Sequence, residues 1–401
     1  MHFALSQEHE LVREMAQKFA QQQILPDIAQ RDREQRSDRA VLDKMADAGI
    51  LGVSLPAKYC GQDTDYISLG LVCEELERAD SSVRVVMSVH SGLHCLTLLQ
   101  WASPEQKQRW LPDLAKGKKV GAFGLTEPNA GSDAVNIRTR AVKDGASYIL
   151  NGEKTWISLA NFADQFLVIA LTNPEAKVKA QGLSAFIVDR NTPGFSSKAL
   201  HGKLGVRAGD TGQIFFSDMR IPEENRVGEE GDGFKVAMSA LDHGRYTVAA
   251  GAVGIIQACL DACTPYAKSR VVGGEEIARK QLVQQMIAGM VQGREIGRLL
   301  YYKVGWMKNQ GLRHTKEVSL AKWTNCNNAF KAADDAIEIH GAYGYSDEFP
   351  VERHFRNSRG SIIYEGTREI HTLVQAEYEL GYRADKPVAR MLPIWPFTDE
   401  V

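Results

Sequence analysis

Apolar side chains first recur at helical spacing. Leu11, Met15 and Phe19 fall four residues apart behind Ser6, a good helix N-cap. Pro26 breaks this pattern, and Leu42, Met45 and Ala46 begin another helix. The run Glu74-Glu75-Leu76-Glu77-Arg78 reads as the solvated side of a further helix, with no acid–base role. The chain to about residue 118 is therefore expected to be a helical domain.

Near Val120 the pattern changes. Asp144-Gly145 and Asn151-Gly152 are hairpin-turn dipeptides on either side of a short strand-like run, Ala146 to Leu150. Phe166 to Leu171, Leu183 to Val188 and Ile214-Phe215-Phe216 predict more strands, with turns at Pro193-Gly194 and Ile221-Pro222. Residues 119–227 are expected to form a compact β domain. Helical spacing returns at Phe234, Met238 and Leu241, then over Gln281 to Tyr302 and Val318 to His340, which predicts a bundle over residues 228–385. The tail, residues 386–401, carries Pro387, Pro393 and Pro396 among Leu392, Ile394, Trp395 and Phe397. It is too broken for a helix and too apolar to float, so it should pack on the body or on a neighbouring subunit.

Composition narrows the class. With 401 residues the chain can build two or three domains. Charged residues make up 24 % and nearly cancel, leaving a formal net charge of −2, which speaks against a nucleic-acid partner. Lys116-Gly117-Lys118-Lys119 is then a solvated loop. No apolar run suggests a membrane span, and the N-terminus reads as neither signal nor transit peptide, so a cytoplasmic, non-membrane protein is expected. The six cysteines form no disulfide framework. Cys259 with Cys263, and His90 with His94, are four apart on predicted helices but lack further ligands, so packing is preferred to metal binding.

Two strings carry the chemistry. Gly124-Leu125-Thr126-Glu127-Pro128-Asn129-Ala130-Gly131-Ser132-Asp133 is a polar, Gly-rich loop leaving a short apolar strand, suited to lie against a planar ligand. Far downstream, Tyr364-Glu365-Gly366-Thr367 sets one carboxylate beside a glycine, where backbone can approach a substrate. No Rossmann glycine fingerprint or P-loop is present. Together, in this order, the strings resemble the flavin-dependent acyl-CoA dehydrogenase family, over almost the whole chain. The resemblance implies an α+β fold: an N-terminal helical domain, a middle β-barrel-like domain and a C-terminal helical bundle.

It also implies roles. Glu365 would be the base that takes a proton next to a thioester carbonyl, after an apolar approach, Ile362-Ile363, that could desolvate it. Its own N–H would help hold the thioester oxygen, with Tyr364 and Gly366 lining the substrate site. The plainer reading of Glu365 is a helix-start carboxylate. Phe123, Leu125, Thr126, Ser132, Trp156 and Ser158 correspond to contacts with the ring of FAD, Ser132 lying also near the acyl-CoA arm. Asp242 and Arg245, three apart on a helix, match the pair that contacts coenzyme A; a simple ion pair is the alternative. Arg270, Gln281, Glu338, Gly341 and Ala342 fall where the family meets the ADP half of FAD, much of it across a subunit boundary, and Thr367 and Glu369 join that set. Here the chain departs from the family pattern, with Val272 and Gly273 in place of Gln and Phe, and Glu338 near a pyrophosphate.

Arg84 occupies the position where glutaryl-CoA dehydrogenases meet a distal carboxylate, although Val85 replaces the neighbouring Ser and a pairing with Glu77 or Asp80 is open. The resemblance thus implies an FAD enzyme making 2,3-enoyl-CoA, a homotetramer passing electrons to electron-transfer flavoprotein. Its substrate would be a dicarboxylic acyl-CoA (glutaryl- or a substituted succinyl-CoA) or a short, branched or cyclic monoacyl-CoA. An acyl-CoA oxidase and a flavin-poor binding subunit are the rival readings.

Overall fold

The computed structural model describes residues 4–385 and 389–398, so Pro387 of the predicted tail lies outside the described residues. Helix α1 (Gln7–Phe19) starts at Ser6, whose hydroxyl accepts from the His9 N–H at 3.2 Å. Its buried side is Val12, Met15, Ala16 and Phe19, and Leu11 is exposed, one step off the predicted row. After α2 (Ile28–Arg33) and α3 (Arg39–Asp47) comes α4 (Tyr66–Ala79).

Helix α4 corrects the expectation of a solvated acidic face. Glu74, Glu75 and Glu77 are 1 %, 5 % and 1 % exposed. Glu74 accepts from Arg298 and from the Tyr301 hydroxyl, both at 2.6 Å, Glu75 pairs with Arg78, and Glu77 pairs with Arg84 and Ser81. Carboxylates enter an interior only when such partners meet them. The partners of Glu74 come from a helix more than two hundred residues away, which local spacing cannot reveal.

Helix α5 (Ser81–Val86), the wide turns Met87–Leu96 and α6 (Thr97–Trp101) run on as one buried rod, and α7 (Pro104–Ala115) closes the helical region behind a Ser103–Gln106 capping box. Strands β1 (Gly121–Gly124), β2 (Arg140–Asp144), β3 (Ser147–Ser158), β4 (Gln165–Leu171), β5 (Leu183–Asp189), β6 (Phe195–Ala199), β7 (Thr211–Pro222) and β8 (Arg226–Val227) make one sheet in the order β6-β7-β3-β2-β4-β5-β8, with β1 parallel to β4. Asp144-Gly145 turns the β2–β3 hairpin as expected, with Gly145 at φ 61°. Asn151-Gly152 does not turn. Strand β3 runs through it with a bulge, because Gly152 lies against Thr139 with no room for a side chain. That bulge carries β3 on to Trp156 and Ser158.

Helix α8 (Gly233–Ser269) is the axis of the remainder. A hairpin of β9 (Val271–Val272) and β10 (Glu275–Glu276) leads to α9 (Gln281–Asn309), then α10 (Thr315–His340), α11 (Val351–Ser361) and α12 (Arg368–Glu379). Helix α8 packs against α4, α9 and α10. Two helical stretches, Ser81–Trp101 and Gly233–Ser269, do reach the length and apolarity of a membrane span, contrary to expectation; their apolar windows are 94 % and 78 % buried in the protein. They are apolar all round because protein surrounds them. Among the described residues all six cysteines are free and no three potential ligands converge to hold a metal.

Close helix approach depends on glycine: a methyl group at Gly254 of α8 would overlap the Glu74 carbonyl of α4. Gly254→Ala should therefore cost about 1–3 kcal/mol in urea unfolding, and an unchanged midpoint would show that the two helices can separate freely.

Candidate active site

Helix α11 ends at Ser361, just before Ile362-Ile363, and α12 begins after Thr367, whose hydroxyl caps it by accepting from the Ile370 N–H at 3.4 Å. The turn between them is left-handed, with φ 56° at Glu365 and 104° at Gly366. Glycine adopts that conformation freely, but a glutamate there is strained and must be held by its surroundings. Two cations hold it. Arg245 Nε donates to the Glu365 carbonyl at 3.1 Å, and Lys322 Nζ donates to the Gly366 carbonyl at 2.7 Å. Lys322, 1 % exposed, was not singled out from the sequence, and nothing local marks it.

The Glu365 side chain lies against Gly244 of α8, where a methyl group would overlap Oε2. Oε2 is buried and has no hydrogen-bond partner. Burial pushes the carboxyl up to about 7, against the opposing pull of Arg84, Lys322 and Arg245. The helix-start reading of Glu365 fails, since Thr367 does the capping.

Glu365 lines a cavity of about 1760 Å³ between the β sheet and the C-terminal helices. Its opposite wall is built by β1, the loop after it and the bulged end of β3. Lys154, 0 % exposed, donates to Glu127 Oε1 at 2.7 Å and to the Leu125 carbonyl at 3.1 Å. Glu127 also accepts the backbone N–H groups of Arg138 and Thr139 at 2.6 and 2.9 Å, so this carboxylate shapes the Gly-rich loop. Trp156 then stands in a left-handed conformation, φ 59°, with its ring 62 % exposed along the cavity. Phe123, Leu125, Thr126, Ser132 and Ser158 line the same cavity. An indole strained into an open cleft beside two hydroxyl side chains suits a flat, partly apolar ring with polar edges, and the isoalloxazine of a flavin fits that description.

Arg84 lines the same cavity beside Tyr364 and is 1 % exposed. Its Nε pairs with Glu77, Nη1 donates to Ser88 Oγ at 2.6 Å and Nη2 to the Tyr364 hydroxyl; Ser88 in turn meets Thr247 Oγ1 at 2.7 Å. Asp242 and Arg245 form an ion pair at 3.0 Å on α8, and Asp242 also accepts from Thr315 at 2.7 Å; both line the cavity. Gly366 and Thr367 line it as well.

Six predicted residues lie elsewhere. Arg270, Gln281, Glu338, Gly341 and Ala342 are exposed, and none lines this cavity. Glu369 is exposed and bound to Arg368 at 2.9 Å; that hydrogen bond holds its carboxyl down to about 2.

Comparison with known proteins extends over the whole arrangement. Residues 6–118, 122–219 and 231–379 match, in turn, the N-terminal, middle and C-terminal domains described as acyl-CoA dehydrogenase. An acyl-CoA dehydrogenase of Bacillus subtilis (strain 168) is 39 % identical over 94 % of this chain and 99 % of its own. The structure of butyryl-CoA dehydrogenase from Megasphaera elsdenii superposes with a TM-score of 0.92 at 36 % identity, covering 95 % of this chain and 100 % of that one. A glutaryl-CoA dehydrogenase in complex with glutaryl-CoA does so with a TM-score of 0.92 at 35 % identity, over 96 % and 98 %.

Lys154→Met would leave Glu127 charged and buried without its cation. It should cost about 3–5 kcal/mol of stability in thermal or urea unfolding, with the bound flavin lost on desalting. A variant that keeps full stability and colour would show that the pair does not shape the loop.

Proposed function

The chain belongs to the acyl-CoA dehydrogenase family, FAD-dependent oxidoreductases, and from that premise we propose that Glu365 is the base of an α,β-dehydrogenation giving a 2,3-enoyl-CoA. The observation that carries the assignment is the unpartnered Oε2 against Gly244, in a carboxyl raised by burial to about 7. A base so tuned is ionised near neutral pH and still strong enough to take a weakly acidic α-proton. The N–H groups of Glu365 and Gly366 have no acceptor among the described residues, so the left-handed turn has donors for an oxygen that gains negative charge. Trp156, Thr126 and Ser158 would hold the ring of FAD. When bound, the flavin supplies the hydride acceptor that no side chain can provide.

Asp242, Arg245 and Ser132 would line the path of the coenzyme A arm. The cavity also carries the polar set Arg84, Ser88 and Tyr364, which supports a dicarboxylic acyl-CoA whose distal carboxylate displaces one of Arg84's neutral partners. A second reading, a short monoacyl-CoA, is favoured by Glu77, which already balances the charge of Arg84. Arg270, Gln281, Glu338, Gly341 and Ala342, remote from the cavity, would serve the distal half of FAD bound by another copy in a tetramer, and electron-transfer flavoprotein would take the electrons.

Three outcomes are expected. Anaerobic titration should bleach the flavin band with glutaryl- or benzylsuccinyl-CoA more readily than with butyryl-CoA; the reverse order would give Arg84 a purely structural role. Glu365→Gln should retain FAD and lose bleaching by every substrate, and undiminished bleaching would remove Glu365 as the base. In the wild type, kcat/KM should rise with pH through about 7, as the carboxyl loses its proton, and the Gln variant should show no such limb.

The same shift acts on stability. The folded state keeps the Glu365 proton up to about 7, whereas the unfolded chain releases it near the ordinary glutamate value, about 4.3. Stability from this group is complete below the unfolded value and is lost as pH rises to the folded one. Glu365→Gln should therefore raise Tm relative to wild type at pH 8 and lose that advantage at pH 4. An equal Tm difference at both pH values would show that burial does not shift this carboxyl.

A further inference from the structure

The family match ends at residue 379, yet the chain continues into the wall of the cavity. After α12 the tail returns across the body. Arg390 donates to the Trp101 carbonyl at 2.6 Å, and its own carbonyl accepts from Gln100 Nε2 at 2.7 Å. Tyr66 donates its hydroxyl to the Pro393 carbonyl at 2.8 Å, and Trp395 donates its backbone N–H to the Asn309 carbonyl at 3.1 Å and its indole N–H to the Asp63 carbonyl at 3.0 Å. Phe397 packs edge-on against Tyr66, with ring centres 5.9 Å apart. These bonds fix the backbone on both sides of Met391 and Leu392, and both side chains line the cavity that holds Glu365. Leu392 is 6 % exposed and Met391 53 % exposed. Gln100 ties the tail to the catalytic side, since its Oε1 meets His243 Nε2 at 2.9 Å, one residue before Gly244.

We propose that residues 389–397 form an outer wall of the thioester channel, with Met391 and Leu392 gripping the coenzyme A arm. The inference rests on the acyl-CoA reading given above. The tail meets the cavity beside Gln100 and Trp101, whereas Arg84 and Ser88 lie at the opposite end of the same rod, roughly 20 Å away along the helix. A short acyl group held at Glu365 and pointing towards Arg84 does not reach Met391. The ligand part that leaves in the other direction, past Asp242 with its bond to Thr315, is the arm. A methionine and a leucine suit its methylenes and geminal methyl groups, and Met adapts to irregular shapes.

The test is calorimetric titration of the FAD-loaded protein with unacylated coenzyme A, so that no turnover is needed. Met391→Ala should raise Kd about fivefold through lost apolar contact, with FAD content and Tm unchanged. Deletion of residues 389–401 should weaken binding further. An unchanged Kd in Met391→Ala overturns the proposal, as does a loss of affinity that only tracks loss of FAD. If the deletion fails to fold, Met391→Ala, an exposed position, still decides. A wild type that binds coenzyme A but is bleached by no acyl-CoA would sink the dehydrogenase reading and leave the wall standing, and one that binds no coenzyme A would sink the wall.

Discussion

Withholding water and hydrogen bonds from a carboxylate costs free energy, and the C-terminal half of this protein is arranged to keep Glu365 in that condition. The side chain would escape if its turn could relax, because a left-handed glutamate gains by moving to an ordinary conformation. Arg245 and Lys322 prevent this through the backbone, by holding the carbonyls of Glu365 and Gly366. They hold the frame without bonding to the carboxylate, so their charges lower its pKa only in part, and desolvation dominates. Gly244 is needed for the same reason: any larger residue would push Oε2 out of its place.

Three other buried carboxylates obey the opposite rule. Glu77 has Arg84, Glu74 has Arg298, and Glu127 has Lys154. Each pair joins segments that must be fixed relative to one another: α4 to the rod below the cavity, α4 to α9, and the Gly-rich loop to β3. Leaving one member unpaired would cost several kcal/mol, far more than the pair itself contributes. Such pairs therefore act as position markers, and the cavity walls are registered by them. Against that background the buried Glu365 oxygen, left without a partner among the described residues, points to function.

Much of this was legible in the chain. The helical, β and helical regions follow from periodicity, and Glu365, Thr126, Trp156 and Ser158 are marked by strings whose order alone is informative. The structure puts these residues around one cavity. What escaped were properties set by distant partners. Glu74 looks like part of a solvated face because its cation, Arg298, lies far along the chain, and Lys322 carries no local signal because its acceptor is a backbone carbonyl. Asn151-Gly152 has the composition of a turn, but a β-bulge also favours glycine, and only the approach of Thr139 decides between them. The alternatives for Arg84 stayed open for a further reason: pairing with Glu77 and facing the cavity are both present.

The cavity has chemically distinct walls, and on the proposed reading these would order a ligand before any bond is broken. One wall is polar, with Ser88 and Tyr364 each bound to Arg84. The carboxyl of Glu365, the exposed indole of Trp156 and the side chains of Met391 and Leu392 line the same cavity. A molecule with a polar end, an acidic methylene and a long, partly apolar arm matches these zones in one direction only. Reversing it would bury the arm against the polar wall and leave the guanidinium's neutral partners displaced without compensation. On the proposed reading, orientation is set by the sum of weak preferences along the cavity, and the strained turn at Glu365 would have only to deliver one carboxylate oxygen to a carbon already in place.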